Sequence, residues 1–316
     1  MTTRTKKHSE PTTLSKGATE VSSALPKGAR TFELPPEGFD PMTASADKLR
    51  RYGLPRRPDP DSEPQLARLY ARAFSRPHTF VKPKLVVDSR LDAINAKRKG
   101  RADFSSGDWG GAVVTTPASD PPDMVFGQFQ VPTVLNIDRE LTQPLTVGFW
   151  VGIGGYGNNS LLQAGIAATV TPFPGPFPIP FGSVSYWAWT EWWPNGYVVD
   201  NLVISPGDAV SVLVCAPQPD HGFVSMENLT TSQIVSVGVD PPSGLTANGP
   251  SAEWIVESLS VDTPSFMPWT CINCAAGSHD SSLTLTGAIT LNMADNEVLT
   301  TVTSPSSVTV DWEKYN

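Results

Sequence analysis

From Trp109 onward apolar residues recur at every second position, the spacing of a strand with one buried face. In DAVSVLVCA, Val210, Val212 and Val214 share a side. In QIVSVGV, Val235, Val237 and Val239 do so, with Ser236 and Gly238 opposite. Gly, Pro, Asn and Asp punctuate the gaps, and no long stretch has helical spacing. Many short strands separated by turn signals predict an all-β, two-sheet antiparallel β-sandwich. Composition agrees: 31 Pro, 25 Gly and 17% charged residues do not suit a helical bundle. No apolar run approaches the roughly 18 residues of a membrane-spanning helix, so no membrane partner is expected.

The net charge of −8 hides a split. Residues 1–101 sum to +10 and residues 102–316 to −18; beyond Arg101 only Arg139 and Lys314 are cationic. This break divides a basic, Pro-rich N-terminal segment (1–101) from an acidic β-rich domain (102–316). Nucleic acid is not an expected partner of that acidic domain. Residues 1–30 are polar, read as disordered, and contain no signal peptide. The rest of the segment is predicted to be mostly irregular. Its helical candidates are Ser45–Tyr52 with Ser45 as N-cap, residues 63–75, and Ser89–Lys97. In the second, Leu66, Leu69, Tyr70 and Phe74 line one helical face. Nothing here makes a self-standing core.

Three strands of the acidic domain carry polar groups that could do chemistry. In LLQAGI, Gln163 shares a face with Leu161 and Gly165. In YWAWTEWWP, Trp187, Trp189, Glu191 and Trp193 share one face and Tyr186, Ala188, Thr190 and Trp192 the other. Four Trp within seven residues are hard to bury, because each indole N–H needs a partner, so one face is expected to line a cleft. In AEWIVE, Glu253, Ile255 and Glu257 share a face. A lone strand glutamate is ordinarily solvated; a pair also suits a glycosidase. The glycine-rich VGIGGYGNNS lacks the Lys-Ser/Thr of a phosphate loop. His8, His78, His221 and His279 are scattered, so no metal site and no cofactor is expected. Cys271 and Cys274 are either a structural disulfide or free thiols, and Cys215 a buried thiol. Asn228-Leu229-Thr230 matches the glycosylation pattern in full.

Taken in order, these segments resemble the glutamic peptidase (eqolisin) family. The likeness runs through Trp109-Gly110-Gly111-Ala112-Val113, Phe129-Gln130-Val131-Pro132, Trp150-Val151-Gly152-Ile153 and Leu162-Gln163-Ala164-Gly165. It continues through Trp189-Thr190-Glu191-Trp192-Trp193-Pro194, Gly207-Asp208, Glu227-Asn228-Leu229-Thr230 and Ala252-Glu253-Trp254-Ile255-Val256-Glu257. Eight matches in order, two of them long, are specific. The resemblance implies a concanavalin-like sandwich with a curved cleft and a catalytic dyad of Gln163 and Glu257. It also implies an acid-acting endopeptidase of polypeptide substrates, made as a zymogen and secreted. Substrate-cleft candidates are Trp109, Trp150, Trp189, Glu191 and Trp193. The N-terminal segment, with Gly38-Phe39-Asp40-Pro41 and LRRYGLPRRP (49–58), resembles the propeptide of bacterial members. It is a candidate intramolecular inhibitor, clipped near Lys97–Arg101.

The chain departs from the family pattern at Gly154 and Trp187, where Asp is usual, and at Thr190 and Trp193, where Tyr is usual. The first two changes remove carboxylates near the expected cleft and bear on pH optimum and substrate preference. PFPGPFPIP (172–180) is an extended insertion that suits a cleft rim or an edge cover. Two rival readings use the same residues. A carbohydrate-binding sandwich would use the Trp platform, and a glycosidase would pair Glu257 with Glu191 or Glu253.

Overall fold

A computed structural model describes residues 25–91, 107–135, 143–173, 182–247, 249–260, 262–278, 281–293 and 298–312. Two large sheets stack face to face. The first runs in the order Ile289–Leu291, Trp109–Thr115, Ser251–Ser258, Leu145–Gly154, Leu161–Pro172, Gly182–Trp192, Asn195–Val199 and Leu85–Val86. The second runs Ala29–Arg30, Gln233–Val239, His221–Asn228, Ala209–Gln218, Met124–Gln130, Trp269–Gly277, Ser307–Trp312 and Val298–Ser304. Neighbours are antiparallel throughout, save Thr79–Phe80, which pairs parallel with Gln233–Ile234. The predicted all-β sandwich is therefore the fold.

Alternation decides what each face buries. Val151, Ile153, Leu162, Ala164, Ile166, Val212, Val214, Val235, Val237 and Trp254 fill the layer between the sheets. The opposite face of the first sheet gathers Trp109, Trp150, Leu161, Trp187, Trp189 and Ile255. The opposite face of the second sheet is also apolar, because Met124, Phe126, Leu213 and Cys215 point outward from it.

The N-terminal segment covers that outer face. Helix Ala46–Arg51 starts at Ser45, whose side chain accepts from the Lys48 N–H. Helix Pro64–Phe74 buries Leu66, Leu69, Tyr70, Ala73 and Phe74 against Met124, Phe126 and Leu213. It approaches closely at Gly277, where a Cβ would stand 2.7 Å from Leu66 Cδ2. Both helices fall where the sequence predicts them. Of the third candidate, Ser89–Leu91 is helical and the remainder lies outside the described residues. The expected disorder through residue 30 fails at its end: Ala29 and Arg30 pair with Val239 and Gly238. Ala29–Arg30 and Leu85–Val86 are thus short edge strands, one on each sheet, which leave little edge open to further pairing.

Candidate active site

The aromatic face of the first sheet holds every site residue the sequence singles out. Strand register arranges them in rows across the strands. Glu257 stands opposite Trp109 and Gly148, with Ala167 and Trp187 continuing the row. The next row on that face is Gly111, Ile255, Trp150, Gly165, Trp189 and Val198. A third contains Val113, Glu253, Gly152, Gln163, Glu191 and Gly196. Gly165 is a packing requirement, since a Cβ there would lie 2.1 Å from the Phe149 carbonyl and 2.7 Å from Trp150.

Gln163 and Glu257 each make a buried hydrogen bond on this face. Gln163 Nε2 donates to Glu191 Oε2 at 2.7 Å, in a fully buried pair. Only the amide nitrogen can donate to a carboxyl oxygen, so Glu191 fixes which end of the amide faces it. Gln163 Oε1 is buried without a hydrogen-bond partner. The Trp150 indole N–H donates to Glu257 Oε2 at 3.0 Å, and Trp109 packs edge-on against Trp150 at 4.9 Å. The indole N–H groups of Trp109 and Trp189 are also buried without partners. The face therefore carries buried polar atoms that the described protein groups do not satisfy.

The Trp cluster is more deeply buried than the sequence suggests. Trp189 and Trp192 are fully covered, Trp187 is 5% exposed and Trp193 is half-buried. Trp192 lies in the inter-sheet core and donates to Ser160 Oγ; Trp187 donates to Thr169 Oγ1. Part of the cover comes from the N-terminal segment. Leu91 is buried in the same apolar cluster as Trp187, Trp189 and Val198, and the Arg90 guanidinium stacks 4.5 Å from the Trp187 ring centroid. Neither residue was legible as a site residue.

Glu253 is fully buried, and neither carboxyl oxygen makes a hydrogen bond of normal geometry. Burial pushes its pKa well above the ordinary carboxyl value, and the nearby Ser251 hydroxyl and Tyr156 backbone offset only part of this. The folded chain then binds a proton that the unfolded chain releases. That stability is complete below the ordinary carboxyl pKa and is lost as pH rises through the folded value. Glu253→Gln is expected to raise the melting temperature at pH 7, because the amide is neutral in both states and folding then takes up no proton at this site. The gain should vanish near pH 4. Thermal melts at the two pH values check this, and equal shifts at both would refute it.

Two smaller sequence questions are settled here. Cys215, Cys271 and Cys274 are all buried free thiols. Asn228 is fully buried and bonded to the Val203 carbonyl, Asp208 and the Thr230 N–H, so the glycosylation pattern is not presented. Gly154 lies at the mouth of the glycine-rich turn with φ +82, and a Cβ would stand 2.2 Å from the Ser160 carbonyl. An Asp could not replace it without moving that turn. Most of PFPGPFPIP lies outside the described residues.

Comparison with known proteins adds the decisive observation: the description of the peptidase A4 family matches residues 107–312. The chain belongs to the peptidase A4 family. These are the glutamic peptidases, or eqolisins, and the chain is a glutamic-type peptide hydrolase. It is 29% identical to aspergillopepsin-2 of Aspergillus niger over 80% of this chain and 93% of that protein. Scytalidopepsin B of Scytalidium lignicola is 28% identical over 51% of this chain and 59% of its own. A scytalido-glutamic peptidase with a peptide-based transition state analog superposes with a TM-score of 0.53 at 26% identity, covering 66% of this chain and 99% of its own. Membership of a peptidase family leaves the carbohydrate-binding and glycosidase readings without support.

Proposed function

We propose that the chain is an acid-acting endopeptidase that hydrolyses peptide bonds in proteins with Gln163 and Glu257 as its dyad. Glu257 is the general base that takes a proton from water and later returns it to the leaving amine. Gln163 donates an N–H to the oxyanion of the tetrahedral intermediate, and its carbonyl helps to hold the water. Glu191 is a positioning residue for Gln163, and Trp150 for Glu257. Trp109, Trp189 and Trp193 line the cleft. The single observation that carries the reading is the Gln163–Glu191 pair. One amide N–H is anchored at 2.7 Å, while Oε1 is buried with no partner. A preorganised amide of this kind is worth roughly 3–4 kcal/mol to an oxyanionic transition state.

The same reading makes the N-terminal segment the intramolecular inhibitor. Arg90 and Leu91 lie on the aromatic face, and Leu91 Cδ1 comes within 3.2 Å of where a Cβ on Gly196 would stand, beside Glu191. Arg30–Asp240, Arg76–Glu227 and Lys84–Asp200 ion pairs tie the basic segment to the acidic domain. Secretion of the zymogen belongs to this proposal as well. Among the described residues no helix is long and apolar enough to cross a membrane.

The test is digestion of a denatured protein by the full chain between pH 2 and 7, with pepstatin and a metal chelator in parallel. Cleavage confined to acid and insensitive to both is the expected result. Cleavage abolished by either reagent would overturn the dyad.

A further inference from the structure

Arg90 and Leu91 show what this wall of the cleft accepts. The guanidinium lies over the Trp187 indole, and Asp88 holds it flat with two parallel bonds, Nε to Oδ1 at 2.9 Å and NH2 to Oδ2 at 2.7 Å. Thr169 in turn fixes the indole through its N–H. The next side chain, Leu91, is 2% exposed, belongs to the same apolar cluster as Trp187, Trp189 and Val198, and fills a hollow beside Gly196. Gly196 makes that hollow: a Cβ there would crowd both Leu91 and the Glu191 carboxyl, at 3.2 and 3.1 Å. The hollow therefore adjoins the Glu191–Gln163 pair directly.

We propose that Trp187 and the Gly196 hollow form a substrate subsite selective for a cationic residue followed by a leucine-sized aliphatic one. The inference rests on the reading of this face as the catalytic cleft. A peptide Arg or Lys carries the same charge as Arg90 and meets the same indole face, where cation–π attraction is strengthened by the loss of water. The carboxylate that pairs with Arg90 belongs to its own segment, so the wall itself contributes the aromatic face. An Asp or Glu in the cationic position of a substrate would meet the negative face of the indole, and an aromatic residue after it would be too large for the space beside Gly196 that Leu91 fills.

Two measurements on the full chain separate this inference from the dyad. The first does not need activity. Trypsin cuts after Arg90 only when Arg90 leaves Trp187, so Trp187→Leu should speed that cut about tenfold and Trp187→Tyr should leave it near the wild-type rate. Products are identified by mass, and melting temperatures show that each variant folds. The second compares acid cleavage of two peptides that differ only in Arg-Leu against Ala-Leu. Wild type and Trp187→Tyr should prefer Arg-Leu by about tenfold in kcat/KM, and Trp187→Leu should bring the ratio to about one. Equal cleavage of both peptides by wild type overturns the subsite and leaves the peptidase reading standing. If no peptide or protein is cut, the peptidase reading fails, and an unchanged trypsin rate in Trp187→Leu overturns the seat itself.

Discussion

Glu257→Gln should fold normally and lose peptide hydrolysis by about 10³-fold or more, within the 10²–10⁴ range of a removed general base. The substitution is isosteric, and the amide oxygen can still accept the Trp150 N–H that now reaches Oε2 at 3.0 Å. Proton transfer is what it removes. Gln163→Ala should lower kcat by about 10²–10³-fold, the usual effect of deleting one oxyanion donor. Its cost to stability is separate. Glu191 Oε2 loses the partner it now holds at 2.7 Å, in a fully buried pair, which costs about 1–3 kcal/mol. Initial rates on a fluorogenic peptide at acid pH, with melting temperatures alongside, check both variants. A folded variant with activity within a few-fold of wild type would remove that residue from the dyad. Glu191→Gln provides a further discrimination: it should lower kcat with little change in KM, because it acts through Gln163 and not on the substrate.

The proposed catalytic face was legible because side-chain alternation is rigid. Once LLQAGI, YWAWTEW and AEWIVE are strands, Gln163, Trp187, Trp189, Glu191, Glu253 and Glu257 each have a definite face. The alternation does not say which strands are neighbours. The Gln163–Glu191 bond joins residues 28 apart in sequence and the Trp150–Glu257 bond residues 107 apart. Register alone creates them, so Glu191 read as a cleft-lining carboxylate and not as the anchor of Gln163. The N-terminal segment shows the same limit. The spacing of Leu66, Leu69, Tyr70 and Phe74 makes the helix visible. Its seat depends on Met124, Phe126, Leu213 and Cys215 facing outward from the second sheet. That is invisible when the Ala209–Gln218 strand is apolar on both faces. Arg90 and Leu91 fall within the helical candidate Ser89–Lys97, but helical spacing says nothing about the wall they touch.

Acid should loosen one part of the N-terminal segment and spare another. Arg76 and His78 converge on Glu227, which is 2% exposed: Arg76 Nε lies 2.9 Å from Oε2 and His78 Nδ1 3.0 Å from Oε1. Arg76 also donates to Ser211 Oγ. Burial pushes the Glu227 pKa up, but the hydrogen bonds and charges of His78 and Arg76 outweigh it and hold the carboxyl below its ordinary value. A depressed folded pKa gives stability that is present above the unfolded value, near 4.5, and is lost as pH falls through the folded one. Protonation leaves the Arg76 guanidinium facing a neutral acid. Adjacent to them, Thr79 and Val81 donate backbone bonds to the Ser232 and Ile234 carbonyls. Helix Pro64–Phe74 has no such dependence, because apolar burial holds it. Hydrogen exchange on Glu257→Gln protein, which cannot clip itself on the proposed mechanism, should show Thr79 and Val81 losing protection between pH 6 and 3. The amides of Leu69 to Phe74 should keep theirs. Glu227→Ala should produce the same loss at pH 6. Breaking a buried pair costs roughly 3–5 kcal/mol, and less here because Arg76 is one-third exposed. The strap that leads to Arg90 and Leu91 would then be released while the helix still covers the second sheet. Uniform protection across both stretches at pH 3 would show that Glu227 is a structural ion pair with no part in activation.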